Sequence, residues 1–240
     1  MKMKEVRRLP LGFGPVQVPE VTQMAKVEAI EISYETEGEV LSRLILPEGV
    51  ELTSNVVHVI YHKYNGCNLL AGRGYNSIII AFEGRRGDCE GLFIPVRMTS
   101  DMFTMIDGRY GDYGFPDLYA VIPDPVLRGG GCYCYATEYE YKFLELYASG
   151  FNPLSETELE ELRQEKRQCS WILDEHEVVI VTRVDKAESG VGSAVFTRAE
   201  WFDAPALCRI ANFMQTLPVK KTLGALRWTG AMEIGLGGEL

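Results

Sequence analysis

The segment from Asn55 to Tyr64 (NVVHVIYHKY) most constrains the fold, because β-branched and aromatic residues fill it. Such a composition favours a β-strand. The period of two in a strand sorts the side chains onto two faces: His58, Ile60, His62 and Tyr64 on one, and Val57, Val59, Tyr61 and Lys63 on the other. Neither face is purely polar. We therefore expect both faces of this strand to be at least partly covered.

Similar patterns recur along the chain and predict more strands than helices. Strands are predicted at Lys26–Tyr34, Tyr75–Glu83, Leu92–Met98, Leu118–Pro123, Cys132–Leu144, Ser170–Leu173, Glu177–Val184 and Thr222–Ile234. Helices are predicted at Val40–Leu46, Ser100–Ile106, Ser155–Gln168 and Pro205–Gln215, two of them opened by the capping boxes Thr36…Glu39 and Ser155…Glu158. Glycines predict a hairpin at Glu83–Asp88 and a turn at Gly190–Gly192. Many strands with a few short helices predict an α+β fold on a largely antiparallel, highly curved sheet.

Length and charge limit the classes of function. A chain of 240 residues, 46% of them hydrophobic, can bury one sizeable core, so a single domain over residues 1–240 is predicted, with residues 1–22 as an extended arm. The net charge of −10 disfavours binding to nucleic acid. Without an apolar run of about 18 residues or a secretory signal, the sequence predicts no contact with membranes and a cytoplasmic location.

Neither a metal nor an organic cofactor is indicated. The six cysteines are scattered, and the three histidines do not surround them with the spacing of a zinc site. Cys132 and Cys134 would share one face of a strand as reduced, apolar residues. The glycines at Gly12–Gly14 and Gly190–Gly192 do not join a strand to a helix as a dinucleotide motif requires. We therefore expect no cofactor and no metal.

The glycine-rich stretch Asp107–Leu118 (DGRYGDYGFPDL) is the strongest candidate for a functional loop. Its three glycines and its proline interrupt the pattern, which predicts a tight connection between a helix and a strand. One arginine, two tyrosines and three aspartates crowd onto it and could line a pocket. The alternative is a solvated turn whose glycines only relieve backbone strain.

Three short motifs in the right order resemble the acetoacetate decarboxylase family. Gly108-Arg109 and Gly114–Leu118 resemble its Gly-Arg…Gly-Tyr-Pro-Lys-Leu segment, Phe82–Asp88 its Phe-Asn-Gly-x-x-Gly-Asp turn, and Leu217–Lys220 its Leu-Pro-Val-Lys. The resemblance spans roughly Val27–Ile234. It implies a closed β-cone or barrel with peripheral helices, a pocket inside the cone, and a large homo-oligomer.

The same resemblance argues against the activity of that family. Its decarboxylases form a Schiff base through a lysine whose pKa a neighbouring lysine lowers. Those lysines belong to the central loop, which here is several residues shorter and reads Tyr110–Tyr113, without lysine. The positions of two family glutamates fall at Ile60 and Arg73, and that of an arginine at Val27. The sequence therefore predicts that no Schiff base forms.

The residues in their place suggest proton transfer beside a carbonyl group. If Ile60 faces the pocket, so do His58, His62 and Tyr64, and histidine exchanges protons near neutral pH. With Asp112, the two histidines form the predicted catalytic set. The predicted substrate-binding residues are Tyr64, Arg73, Arg109, Tyr110 and Tyr113, in which arginine could hold a carboxylate or enolate. Each histidine could equally be structural, Arg73 could be a surface residue, and Arg109 could anchor the loop.

Three functions remain open. The first is an acid–base lyase, dehydratase or cyclase acting on a keto or polyketide-like small molecule, with a role in secondary metabolism suggested by analogy with the family. The second is a pericyclase-like cavity protein that shapes a substrate for ring closure without proton-transfer residues. The third is a small-molecule-binding protein that performs no catalysis.

Overall fold

The computed structural model describes residue 19 and residues 21–44, 46–110, 113–174 and 177–236, with only the backbone of residues 107–110. The strands are β1 Thr22–Glu35, β2 Val50–Cys67, β3 Tyr75–Arg86, β4 Cys89–Thr99, β5 Asp117–Tyr119, β6 Val126–Arg128, β7 Gly131–Glu138, β8 Tyr141–Pro153, β9 Cys169–Ile172, β10 Glu177–Phe196 and β11 Lys221–Leu236. The helices are α1 Gly38–Leu41, α2 Met102–Tyr110, α3 Glu156–Arg167 and α4 Cys208–Thr216, and a 3-10 turn lies at Asn68–Leu70.

The sheet closes on itself. Its strands follow the order β11-β1-β2-β3-β4-β9-β10, and β10 also pairs with β11, which completes a ring. Strands β8, β7 and β6 continue outward from β10. The pairings are antiparallel except where β4 meets β5 and β9. The predicted α+β fold, with a predominantly antiparallel and strongly curved sheet that closes, is confirmed.

Strand β2 separates two hydrophobic clusters, as its two covered faces predict. Val57, Val59 and Tyr61 belong to an outer cluster, which also contains side chains of β7, β8 and α4. Ile60 and Tyr64 belong to an inner cluster, with side chains from around the ring. The interior of the ring is therefore packed with side chains of β2 at alternate positions.

Helix α3 begins with the predicted capping box. The Ser155 hydroxyl accepts from the Glu158 backbone N–H, and the Glu158 carboxylate accepts from the Ser155 backbone N–H at 2.8 Å. The helix buries Leu162 in the inner cluster. The cap thus fixes where the helix starts and so which of its side chains reach the ring.

Replacing Ser155 by alanine is expected to lower the free energy of unfolding by about 1 kcal/mol, because an N-terminal backbone N–H of α3 loses its partner. Denaturant titration measures the loss. Thr157→Ala is the control, since Thr157 is exposed on the same helix and makes no capping bond. Equal losses for the two variants would contradict the cap.

The secondary structure predicted for two segments is wrong, because it was inferred from residues adjacent in sequence. Cys132–Leu144 forms two strands, β7 and β8, which turn at Tyr139 and Glu140 with φ of 49° and 111°. Tyr and Glu rarely adopt a positive φ, so nothing in these residues indicates a turn. Conversely, Gly190–Gly192 lies inside β10, where a Cβ on Gly192 would stand 2.9 Å from the Cβ of Ala225. Those glycines permit close packing of strands.

Helix starts and ends also differ from prediction. Thr36 does not cap α1, because its backbone is bonded to Asn55 of β2 and the helix starts at Gly38. Helix α2 continues to Tyr110, so the first residues predicted as a tight connection are helical. The Asp101 side chain caps this helix by accepting from the Thr104 N–H at 2.8 Å. The predicted arm lies largely outside the described residues.

Candidate functional site

A line of aromatic side chains runs through the interior of the ring. Phe115 meets Trp171 edge to face, Trp171 stacks on His62, and His62 meets the edge of Trp228, with ring centroids 5.9–6.4 Å apart. We call these four residues the aromatic line. An ion pair lies at each end of it, fully buried at one end and partly buried at the other, and these pairs define two ends of the interior.

Arg97 and Asp117 form the ion pair at the first end. The guanidinium donates two hydrogen bonds to the carboxylate at 2.6 and 2.5 Å and lies 3.7 Å from the centroid of the Phe115 ring. The two residues face each other in register on the parallel strands β4 and β5. Burial disfavours the charge of Arg97, but Asp117 outweighs burial and raises the pKa of the guanidinium. Both groups are therefore charged.

A small pocket lies beside this pair. Its volume is about 20 Å³, room for a single water molecule. It is lined by Thr22, Met24, Leu69, Tyr75, Arg97, Thr104, Tyr113, Phe115 and Ile234. Tyr113 is anchored, since its hydroxyl donates to the Ile234 carbonyl at 3.0 Å and accepts from the Thr22 N–H. We call this space the inner pocket.

Tyr75 offers the inner pocket a hydroxyl that makes no hydrogen bond within the described part of the chain. Its ring packs on Tyr64 with the centroids 4.7 Å apart. Burial raises the pKa of Tyr75 well above its ordinary value, and the nearby Arg97 only partly opposes this. The phenol therefore stays protonated and can donate to an oxygen in the pocket.

Glu31 and Lys166 form the ion pair at the second end. The ammonium of Lys166, from α3, lies 2.8 Å from Oε1 of Glu31, and the Trp228 indole N–H donates to the same oxygen at 2.6 Å. Burial would raise the pKa of Glu31, but Lys166 and Trp228 lower it. Burial likewise opposes the charge of Lys166, but Glu31 raises its pKa. Lys166 is therefore held as an ammonium, which is not a nucleophile.

His62 lies between the two ends and is neutral. Burial lowers its pKa to about 3, although Glu31 partly opposes this, and Lys166 and Arg97 add to the lowering. Its Nδ1 lies 2.9 Å from the hydroxyl of Tyr64. His62 does not line the inner pocket and reaches it only through its neighbours, since Tyr64 packs on Tyr75 and Trp171 meets Phe115.

The predicted catalytic residues do not come together. His58 lies further along β2, where Ser33 Oγ is 2.9 Å from its Nδ1 and Glu83 is 3.5 Å from its Nε2. At about 3.3 Å per residue, His58 lies about 13 Å from His62 along the strand and about 20 Å from Tyr64. Asp112, the third residue of the predicted set, lies outside the described residues.

The structure describes the side chains of three of the five predicted binding residues. Tyr64 and Tyr113 are buried near the first end, Tyr113 lining the inner pocket. Arg73 is exposed and lines a depression of about 330 Å³ that shares Leu69 with the inner pocket. The side chains of Arg109 and Tyr110 lie outside the description. The structure thus places three of the five near one end of the ring.

Sequence reasoning missed Tyr75 and both ion pairs. Arg97 was a usable signal, because it is an isolated charge in an otherwise apolar strand and so required a buried partner. Asp117 was another, because it stands where the resembled motif has lysine. For Glu31 and Lys166 no such signal existed, since the charged residues around them suggested solvated faces.

Two features are absent from the described residues. No cluster of three or more His, Cys, Asp or Glu side chains there could hold a metal ion. Among the helices of that part of the chain, none has the length and apolar character needed to cross a membrane.

Comparison with known proteins agrees with this architecture. Among solved structures, the acetoacetate decarboxylase of Legionella pneumophila subsp. pneumophila str. Philadelphia 1 has 18% identity and a TM-score of 0.72, over 93% of this chain and 90% of that chain. An acetoacetate decarboxylase-like enzyme from Sphingomonas wittichii RW1 has 14% identity and a TM-score of 0.66, over 91% and 92%. The enduracididine biosynthesis enzyme MppR complexed with pyruvate has 11% identity and a TM-score of 0.62, over 93% and 91%.

Sequence comparison gives the family directly. A search of curated proteins gives no match. The family model described as acetoacetate decarboxylase matches residues 8–238, nearly the whole chain. This chain therefore belongs to the acetoacetate decarboxylase family.

Proposed function

We propose that this chain is an enzyme that acts on a small keto acid or polyketide-like molecule without forming a Schiff base. The observation that carries the proposal is the lining of the inner pocket, where the described residues supply a tyrosine hydroxyl and a guanidinium but no lysine. Lys63, on the pocket strand, instead points outward and pairs with Asp124 at 2.6 Å. The reaction would be an acid–base elimination, such as dehydration, or a cyclisation.

Two groups suit the recognition of a keto acid. Arg73, in the depression that adjoins the inner pocket, would hold the carboxylate at the mouth. The inner pocket has room for little more than the carbonyl oxygen, so the rest of the substrate would lie in the adjoining depression of about 330 Å³. Tyr75, two residues further along the chain, lines the inner pocket and would donate its O–H to that oxygen. The charge of Arg97 is largely offset by Asp117, so Tyr75 would be the principal donor. The pyruvate bound to the related MppR supports this class of substrate.

In a dehydration, a base removes the proton next to the carbonyl while Tyr75 stabilises the enolate oxygen. A β-hydroxyl then leaves and takes up a proton, so that the net change is loss of water. We place Asp112 ahead of the histidines as the base, because it directly precedes Tyr113 of the inner pocket. His62 would act as a positioning residue through Tyr64. His58 would have no part at this end, since about 20 Å of strand separates it from Tyr64.

A second candidate is ring closure without proton transfer, as in a pericyclase. The neutral state of His62 favours it, because a histidine with a pKa of about 3 is a weak base. In that case Tyr75 would polarise a carbonyl group and the aromatic line would shape an apolar substrate.

For a substrate found in a panel of keto acids, Tyr75→Phe is expected to lower kcat about 10²- to 10³-fold, because the carbonyl oxygen loses its donor in the transition state. Turnover of the panel is followed by NMR. Tyr139→Phe is the matched control, since it removes the hydroxyl of a tyrosine that is 75% exposed on a distant turn. Unchanged kcat in Tyr75→Phe would contradict the proposal.

Three outcomes separate the alternatives. Borohydride added during turnover is expected to leave the protein mass unchanged, whereas a reduced imine adduct would refute the non-covalent reaction. Loss of turnover in Asp112→Asn, with Tyr75 intact, would favour acid–base chemistry over ring closure. Tight binding of a keto acid with no turnover would identify a binding protein.

A further inference from the structure

A larger cleft lies at the second end, away from the inner pocket. Its volume is about 740 Å³, within the range of small-molecule sites. Its walls come from β1, β2, β10, β11, the segment before β6, and the start of α3. The apolar part of its lining is formed by Ala29, Ile30, Tyr61, Pro125, Leu127, Pro153, Leu154, Leu159, Ala187 and Trp228. We call this space the outer cleft.

The outer cleft is a separate site. It shares none of its lining residues with the inner pocket. Trp228 belongs to its lining and also meets His62 at the second end of the aromatic line. One indole ring therefore separates a ligand in the outer cleft from the interior of the ring.

Tyr61 supplies the outer cleft with an unused hydrogen-bond donor. The side chain is fully buried, and its hydroxyl has no hydrogen-bond partner within the described residues. A buried polar group without a partner is unusual and often marks the place of a water molecule or ligand. Burial raises the pKa of this phenol, so it remains an O–H donor.

Three of the four cations that line the outer cleft, Lys63, Arg163 and Arg227, are held by oxygen atoms of the protein. Lys63 pairs with Asp124 at 2.6 Å, and Arg227 pairs with Glu188. Arg163 donates to the Val184 carbonyl at 3.0 Å. Among the described lining cations these bonds leave Lys186, which is exposed, and one exposed ammonium is not a cluster that would hold an anion, so the ligand that fits best is uncharged.

From these observations we propose that the outer cleft binds an uncharged, ring-containing molecule with a carbonyl oxygen. The ring lies against the apolar lining beside Trp228, and the oxygen accepts from Tyr61. The inference does not rest on the proposed catalytic reaction, because it concerns other residues and another space.

The test compares two bicyclic probes, 1-tetralone, which carries a carbonyl, and tetralin, the same skeleton without it. Dissociation constants for both are measured by ligand-observed NMR titration. Tyr61→Phe is expected to weaken binding of 1-tetralone about five- to tenfold and to leave tetralin unchanged, because one neutral hydrogen bond is lost. The variant keeps the ring volume and removes a hydroxyl without a partner, so its stability is expected not to fall.

Two further variants locate the probe. Leu159→Arg places a charge in the cleft from the half-buried face of α3 and is expected to abolish binding of both probes. Tyr133→Phe is the matched control and should bind both probes like the unaltered protein. The proposal is overturned if 1-tetralone does not bind saturably, if Tyr61→Phe affects the two probes equally, or if Leu159→Arg binds them normally.

Discussion

Replacing Arg97 by methionine is expected to lower the free energy of unfolding by about 3–5 kcal/mol, the loss typical of removing one partner of a buried ion pair. Asp117 is 0% exposed, and its carboxylate would lose both bonds from the guanidinium. The cation over the Phe115 ring would be lost as well. Denaturant titration at neutral pH measures the change.

Two controls distinguish an isolated charge from a general loss of packing. The double variant Arg97→Met with Asp117→Leu removes both charges and is expected to recover most of the stability, as replacement of buried pairs by apolar residues often does. Arg85→Met breaks the exposed pair with Glu51 and should cost less than about 1 kcal/mol. If the double variant is no more stable than Arg97→Met, the explanation by loss of the ion pair is wrong.

Besides stabilising the fold, the Arg97–Asp117 pair holds neighbouring parts of the chain in place. It joins β4 to the short strand β5, which follows the glycine-rich stretch, and it fixes Phe115 against Arg97. The chain therefore keeps a defined wall at the first end although it lacks the lysines of the resembled loop. The wall carries Tyr113 next to Tyr75, which is the geometry that the proposed reaction uses.

Much of the fold could be predicted because its signals are local. The alternation in Asn55–Tyr64, the glycines of the Glu83–Asp88 hairpin and the Ser155 capping box each depend on neighbours in sequence. The predictions for the turn at Tyr139 and for the Gly190–Gly192 segment failed for the opposite reason. Their conformations are set by the strands that they join or pack against, and only the assembled sheet shows these neighbours.

The site was less predictable than the fold. Strand parity correctly placed His62 and Tyr64 inside the ring and Lys63 outside it. Parity gives the face of each side chain, and the spacing of four residues separates His58 from His62 by about 13 Å along the strand. Parity could not show the different surroundings of the two histidines, with Ser33 and Glu83 beside His58 and two tryptophans beside His62. Tyr75 gained its place beside Arg97 and Tyr113 through the meeting of β3, β4 and the segment before β5, which are separated in sequence. Such residues emerge only from tertiary structure.

His62 is expected to make the protein sensitive to acid. Its pKa is about 3 in the folded protein, whereas the unfolded chain takes up this proton near the ordinary value of 6.5. The unfolded state therefore binds more protons between these values, and stability falls as the pH falls through that window. The free energy of unfolding of His62→Phe should therefore fall by about 1 kcal/mol less than that of the unaltered protein between pH 6 and pH 5. Between pH 6 and pH 4 it should fall by about 2.5 kcal/mol less. Denaturant titrations at several pH values measure the difference.

The window from pH 6 to pH 5 isolates His62 from its charged neighbours. The carboxylate of Glu31 has a lowered pKa, so its stabilising contribution is lost only at lower pH, and Lys166 and Arg97 have raised pKa values and stay charged throughout. His58→Phe is the matched control. Burial also lowers the pKa of His58, but Glu31 and Glu83 oppose that effect. His58→Phe should therefore reduce the pH dependence of stability less than His62→Phe does. If His62→Phe and the unaltered protein lose stability in parallel between pH 6 and pH 5, then His62 is protonated in the folded state. It would then exchange protons inside the ring near its ordinary pKa, as a general base does, and the order in which we place Asp112 and His62 as the base would have to be reversed.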